Sequence, residues 1–200
     1  VPACGCGIEA EDSEQRRVLK LLLAINAMMF VAELVAGMVS GSTALMADAM
    51  DMLADALVYS VSLYAVGRAP IAKMKAARLS GVFQILIGTA VIAEVLRRFL
   101  WGSEPEPLYM VAVGVLALAA NVTCLAMIAK YRRGEVHMRA SWIFSRNDVI
   151  ANIGVILGGV LVHLFHSRLP DLLIGFAIAL IVVRGGIDII RDSSKGSHRE

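Results

Sequence analysis

Apolar positions run through this chain in long unbroken blocks, with neither the strict alternation of a half-buried strand nor the narrow stripe of a soluble amphipathic helix. Six blocks, roughly 18–40, 43–66, 76–99, 108–130, 141–165 and 170–190, are each about as long as the ~20 residues that an α-helix needs to cross a bilayer. The connections are short. Gly41-Ser42 turns the first pair, Gly67-Arg68-Ala69-Pro70 ends the second block, Gly102 to Pro107 is a proline-punctuated loop, Lys130 to Arg139 is basic, and His166 to Pro170 makes the last turn. Short links imply antiparallel neighbours. The pattern predicts an all-α, polytopic bundle of six transmembrane helices in one domain, residues 18–190, between tails at 1–17 and 191–200.

Composition agrees: 58% of residues are hydrophobic, 18% are charged, and the mean hydropathy is +0.72. The first block is too long for a signal peptide and lacks a small-residue cleavage site. With the N-terminus in the cytosol, fourteen basic residues collect on the inside against three outside (Arg97, Arg98 and Arg168), while Arg146 and Arg184 lie within helices. That asymmetry places both termini in the cytosol. The basic residues are accounted for by topology, so the net charge of +2 gives no reason to invoke nucleic acid.

The chemistry is concentrated in the second block, where Asp48, Asp51 and Asp55 recur at i, i+3 and i+7 on one helical face. Acids within a bilayer are costly and mark ion pathways or partner charges. Three together repel unless a cation or protons neutralise them. Asp148, about two turns into the fifth block, can join Asp51 and Asp55 if the second and fifth helices are neighbours.

The run Gly41-Ser42-Thr43-Ala44-Leu45-Met46-Ala47-Asp48-Ala49-Met50-Asp51-Met52-Leu53-Ala54-Asp55 resembles the second-helix signature of the cation diffusion facilitators. Glu94 to Arg98 followed by Pro105 and Pro107, and Met138-Arg139-Ala140 through Asn147-Asp148, are similar to later segments of that family. The resemblance implies a six-helix exporter of divalent metal coupled to protons, with Asp51, Asp55 and Asp148 on the metal-ligand positions. It further implies a homodimer in a bacterial inner membrane, with lipid, protons and the metal as partners and no fixed cofactor. Most members carry a cytosolic ferredoxin-like domain, which these 200 residues do not accommodate, so a dimer is expected through the membrane helices. Zinc exporters usually have His where this chain has Phe144, and phenylalanine cannot coordinate a metal. Asn152, one turn beyond Asp148, offers an amide oxygen in its place. Asp48 is a further candidate as ligand or outer-gate acid, Asn26 reaches the site if the first helix packs close, and Ser145 is a weak donor. An oxygen-only set shifts preference from Zn(II) toward harder ions such as Mn(II) and Fe(II), so the metal stays open among Zn, Fe, Mn, Co and Cd. Carboxylates that bind metal must release protons, so one set of groups can serve both cargo and driving ion.

Other features have plainer readings. Cys4-Gly5-Cys6 offers only two thiolates to a soft metal and reads as a reduced tail. Glu33 reads as a structural acid hydrogen-bonded to a neighbouring helix, with a vestibule acid as the alternative, Glu94 as the partner of Arg97 or Arg98, and Arg184–Asp188–Arg191 as a salt-bridge ladder. His163 and His166 read as interfacial, His137 as a lone loop histidine, and the ten methionines as core filler. Gly37/Gly41 and Gly154/Gly158 supply small-residue spacing for helix contacts, within one chain or between two. Two other readings rival transport. An intramembrane aspartyl protease would want a Gly-x-Gly-Asp context, but Arg146-Asn147 precede Asp148. A non-transporting metal sensor or scaffold would have no use for the buried acids.

Overall fold

The computed structural model describes the backbone of residues 6–65, 70–131 and 136–195, and the side chains of 13–64, 78–130, 142 and 145–191. Six helices follow one another: α1 (Cys6–Val39), α2 (Thr43–Ala65), α3 (Pro70–Trp101), α4 (Pro107–Ile128, continued by a single 3-10 turn, Ala129–Tyr131), α5 (Val136–Phe165) and α6 (Leu169–Lys195). No strand occurs among the described residues. The outer helices exceed their apolar blocks. The first tail is already helical from Cys6, and the tail expected from Arg191 is helical through Lys195.

Five helices contain a segment long and apolar enough to cross a membrane: Ser13–Val39, Arg78–Trp101, Pro107–Ile128, Ser145–Phe165 and Leu169–Arg191. The distribution of side chains is that of a protein in lipid. Leu100, Leu108, Leu164 and Leu173 are about two-thirds exposed or more on the outer surface, whereas Asn26, Glu33, Asp48, Asp55, Asn121 and Asn152 are fully buried. A water-soluble fold would reverse this pattern. The chain is an integral membrane protein.

α2 departs from the five apolar spans because its three aspartates lie within a 23-residue helix. Its surroundings explain how it tolerates them. α2 contacts each of the other five helices, and the buried positions from Ala44 to Ser62 cover nearly its whole circumference. α4 instead buries a single stripe, Met110, Gly114, Ala117, Asn121, Cys124 and Ile128, spaced four and three residues apart. α2 therefore sits in a protein environment while the other helices face the lipid.

Close approach elsewhere in the bundle depends on glycine. On α3 and α6, a Cβ at Gly81 would lie 2.8 Å from the Gly186 carbonyl oxygen, and one at Gly186 would lie 2.7 Å from that of Gly81. Gly37 lets α1 settle on α2, where a Cβ would stand 3.0 Å from the Met46 nitrogen. Gly158 faces Ile174 of α6, at 2.7 Å from a would-be Cβ. The glycine spacings seen in the sequence thus serve packing within the chain.

One end of the bundle gathers the α1–α2, α3–α4 and α5–α6 turns, and here α2 is clamped twice. Asp171, in the first turn of α6, caps α2 from a neighbouring helix. Its carboxylate accepts from Ser42 Oγ (2.6 Å), Thr43 N (2.7 Å) and Ala44 N (3.0 Å), satisfying two of the open N–H groups at the α2 N-terminus. Arg98 of α3 donates to the carbonyl of Gly41 and is held by Glu94 Oε1 at 2.7 Å. Gly41 has φ +64, which only glycine adopts freely, and Glu104 O lies 3.0 Å from where a Cβ would stand. Glu94 thus takes the expected role, bonding Arg97 as well. Arg146 is exposed and lies over the ring of Trp142, 5.8 Å from its centroid. The expected Arg184–Asp188–Arg191 ladder does not form; Arg184, Asp188 and Arg191 are all exposed.

Asp171→Ala leaves Ser42 and two backbone N–H groups at the α2 N-terminus without their acceptor. It is expected to destabilise the detergent-solubilised protein by about 2 kcal/mol, and Asp171→Asn, which keeps one acceptor oxygen, by less. Thermal unfolding followed by circular dichroism checks the order.

Candidate metal centre

The acid face of α2 turns toward α5, whose own buried stripe carries Ser145, Asp148, Ala151, Asn152 and Val155. This contact supplies the adjacency that the sequence alone does not prove. One carboxylate oxygen from each of Asp51, Asp55 and Asp148 lies within 4.8 Å of the other two. All three residues are buried, with relative exposures of 5%, 0% and 3%. Like charges at this spacing in a low-dielectric interior repel strongly, so the trio demands a cation or protons. Asp55 Oδ1 and Asp148 Oδ2 have no hydrogen-bond partner.

The remaining Asp55 oxygen is engaged. Tyr59, one turn along α2, donates its hydroxyl to Asp55 Oδ2 at 3.1 Å, and the same hydroxyl lies 2.8 Å from Ser145 Oγ on α5. Tyr59 is fully buried and belongs to an apolar cluster with Leu19, Leu22, Cys124 and Ile128 that closes the bundle on the side of the chain termini. Sequence reasoning passed over Tyr59, although its i+4 spacing from Asp55 places it on the acid face. It also passed over Asp171, whose role depends on a partner more than a hundred residues away. Ser145 reaches the site only through Tyr59.

Three other candidates, Asn152, Asp48 and Asn26, are buried, and each keeps at least one unpartnered oxygen. Asn152 is fully buried, and its Nδ2 donates back to the Asp148 carbonyl at 2.8 Å, leaving Oδ1 with no partner. Its free atom is thus the oxygen, the kind of donor that a cation takes. Asp48 is fully buried but stands outside the trio, with both carboxylate oxygens unpartnered. Asn26 bonds the Leu22 carbonyl at 2.9 Å and approaches Cys124 Sγ at 4.0 Å, and its Oδ1 has no partner. Asn121 Nδ2 reaches across to Met52 Sδ of α2 at 3.9 Å. Glu33 departs from expectation: it is fully buried, yet neither of its oxygens makes a hydrogen bond. His163 and His166 are exposed at the turn end, with ring centroids 6.3 Å apart. Cys4, Cys6, His137 and the side chain of Phe144 lie outside the described residues.

Every buried side-chain atom without a partner among the described residues is an oxygen. Most of these oxygens are carboxylate or amide oxygens, which accept but do not donate, so the interior is rich in free lone pairs of the kind that a cation takes.

Residues 19–196 match the cation efflux transmembrane domain. The chain belongs to the cation efflux family. Members of this family are transporters rather than enzymes, which removes the protease alternative. The chain is similar to a cadmium, cobalt and zinc/H(+)-K(+) antiporter of Bacillus velezensis, 26% identical over 198 residues that make up 92% of this chain and 63% of that protein. It is 27% identical over 199 residues to the zinc transporter ZitB of Pectobacterium atrosepticum, covering 92% of this chain and 61% of the relative. It is 26% identical over 182 residues to the metal cation efflux system protein CzcD of Cupriavidus metallidurans, covering 84% and 57%. The chain thus spans a little under two-thirds of the length of these relatives. Its apolar spans and its bacterial cation efflux relatives assign it to a bacterial plasma membrane.

Tyr59→Phe removes the hydroxyl that donates to the Asp55 carboxylate and bridges α2 to α5 through Ser145. The expected cost is about 1–2 kcal/mol of stability, read by thermal unfolding in detergent. Ser145→Ala, which keeps the Tyr59–Asp55 bond, is expected to cost less.

Proposed function

We propose that this protein exports a divalent transition-metal ion from the cytosol in exchange for protons, with Asp51, Asp55 and Asp148 as its ligands. The observation that carries this reading is the buried carboxylate trio, drawn from two helices, with unpartnered oxygens and no compensating basic side chain among the described residues. The names of the three relatives support metal as the cargo, and one of those names supports exchange for protons. Asn152 completes the set with Oδ1, and Asp48 stands next to it in line. All six helices span the membrane in this reading, α2 shielded from lipid by its neighbours, and the basic residues place both termini in the cytosol. A homodimer, as the resemblance implies, must use surfaces other than the glycine contacts already occupied within the chain.

The donor set consists of oxygens, and Phe144 offers no lone pair one turn before Asp148. Such a set favours Mn(II), Fe(II) and Co(II) over ions that seek nitrogen or sulfur. Carboxylates bind the ion only when deprotonated, so cytosolic metal expels the protons that the site holds, and protons arriving from outside expel metal. Access to the two sides in alternation then turns the proton gradient into metal export.

The test is metal-stimulated proton flux in proteoliposomes across Zn(II), Mn(II), Fe(II), Co(II) and Cd(II). Flux is expected with at least one ion and is expected to vanish in Asp55→Ala and Asp148→Ala. Absence of flux with every ion, from folded protein, would overturn transport in favour of a sensor or scaffold. Affinity for the transported ion is expected to fall as pH falls, by about tenfold per pH unit for each proton displaced, and titration calorimetry at several pH values reads that slope. Phe144→His adds a nitrogen donor and is expected to shift preference toward Zn(II).

A further inference from the structure

We propose that Glu33 and Asp48 hold a second position for the transported divalent ion, beside the central trio. This proposal rests on the reading of Asp51, Asp55 and Asp148 as a metal site.

The two acids come from different helices, α1 and α2, which pack against each other. Gly37 brings the helices together: its missing Cβ leaves room for the Met46 nitrogen at 3.0 Å and the Leu45 carbonyl carbon at 3.3 Å. Glu33 lies one turn from Gly37 on the same face of α1, and α1 runs antiparallel to α2. Glu33 therefore falls beside the α2 turn that carries Asp48. Glu33 and Asp48 are both 0% exposed, buried by protein rather than by lipid.

Neither acid is otherwise used. All four of their carboxylate oxygens are buried without a hydrogen-bond partner. Arg98, the basic side chain buried nearest the α1–α2 turn, is committed to Glu94, Gly41 and Met46. A structural acid would have found a donor, as Asp171 finds three and Glu94 finds two arginines. Two carboxylates left open from opposite helices match the charge of one divalent ion, and their oxygens suit the same class of metal as the trio. Asp48 precedes Asp51 by three residues, and Asp51 precedes Asp55 by four, so the ladder runs from the trio toward the turn end of the bundle. On the topology proposed above, that is the outward direction, and the second position is where the ion passes on leaving the trio.

The experiment is equilibrium dialysis of Co(II) against the purified full chain in nanodiscs, with absorption spectra separating oxygen-bound from thiolate-bound cobalt. The wild type is expected to hold two oxygen-bound ions per chain. Glu33→Gln and Asp48→Asn, each nearly isosteric, are expected to hold one, and Asp55→Asn is expected to hold one that Glu33→Gln then removes. Metal-driven flux in Glu33→Gln is expected to fall at least tenfold. A wild-type count of one, lost in Asp55→Asn and unchanged in Glu33→Gln and Asp48→Asn, would overturn the second position and leave the central site standing. A count unaffected by Asp55→Asn would overturn the central site itself. Cobalt anomalous scattering from wild-type crystals gives a readout that needs no variant, with a second peak at ligand distance from Glu33 and Asp48 expected and its absence refuting the proposal.

Discussion

A carboxylate oxygen buried with no donor is among the most expensive groups a membrane protein can carry, and α2 carries several. The rest of the architecture makes that tolerable. α2 is enclosed by all five other helices, so its acids face protein and one another rather than lipid tails. The leucines and valines that a soluble protein would hide are turned outward, and the glycines of α3, α5 and α6 let the surrounding helices close tightly. A helix with three aspartates can then sit among five apolar spans.

The two ends of α2 are held by different forces. At the turn end the restraints are polar and directional: Asp171 caps the helix from α6, and Arg98 grips the preceding turn from α3. Toward the chain termini the restraint is an apolar cluster around Tyr59, with one hydroxyl tying α2 to α5. Directional bonds fix depth and rotation, while apolar packing resists separation but slides more easily. The acid face is thus anchored from one end and sealed from the other.

The sequence displayed the helices and the acid ladder clearly, because both are local periodicities. Asp48, Asp51 and Asp55 share a face by spacing alone. Asp148 required knowledge that α2 and α5 touch, which came from family resemblance and which the packing bears out. Asp171 and Tyr59 were not legible. Asp171 reads as an ordinary acid in a first helical turn until its partners on α2 are known, and Tyr59 reads as core until its hydroxyl is located. The same holds for Glu33: a buried acid suggests a donor nearby, and only the packing shows that none is there among the described residues. The helix ends beyond the apolar blocks were missed because hydropathy reports immersion in lipid, and a helix can continue into water.

The proposed exchange of one divalent ion for two protons at the trio would have an arithmetic consequence. Three aspartates carry one negative charge more than a divalent ion cancels. An ion exchanged for two protons leaves the site with that same single surplus charge in both of its loaded forms. The bundle then presents the same net charge to the membrane whichever cargo it holds. A transmembrane voltage acts on charge that moves, so it does equal work on the two opposite passages and drives neither one over the other. In such an exchange the voltage cancels, and the concentrations of metal and protons alone set its direction.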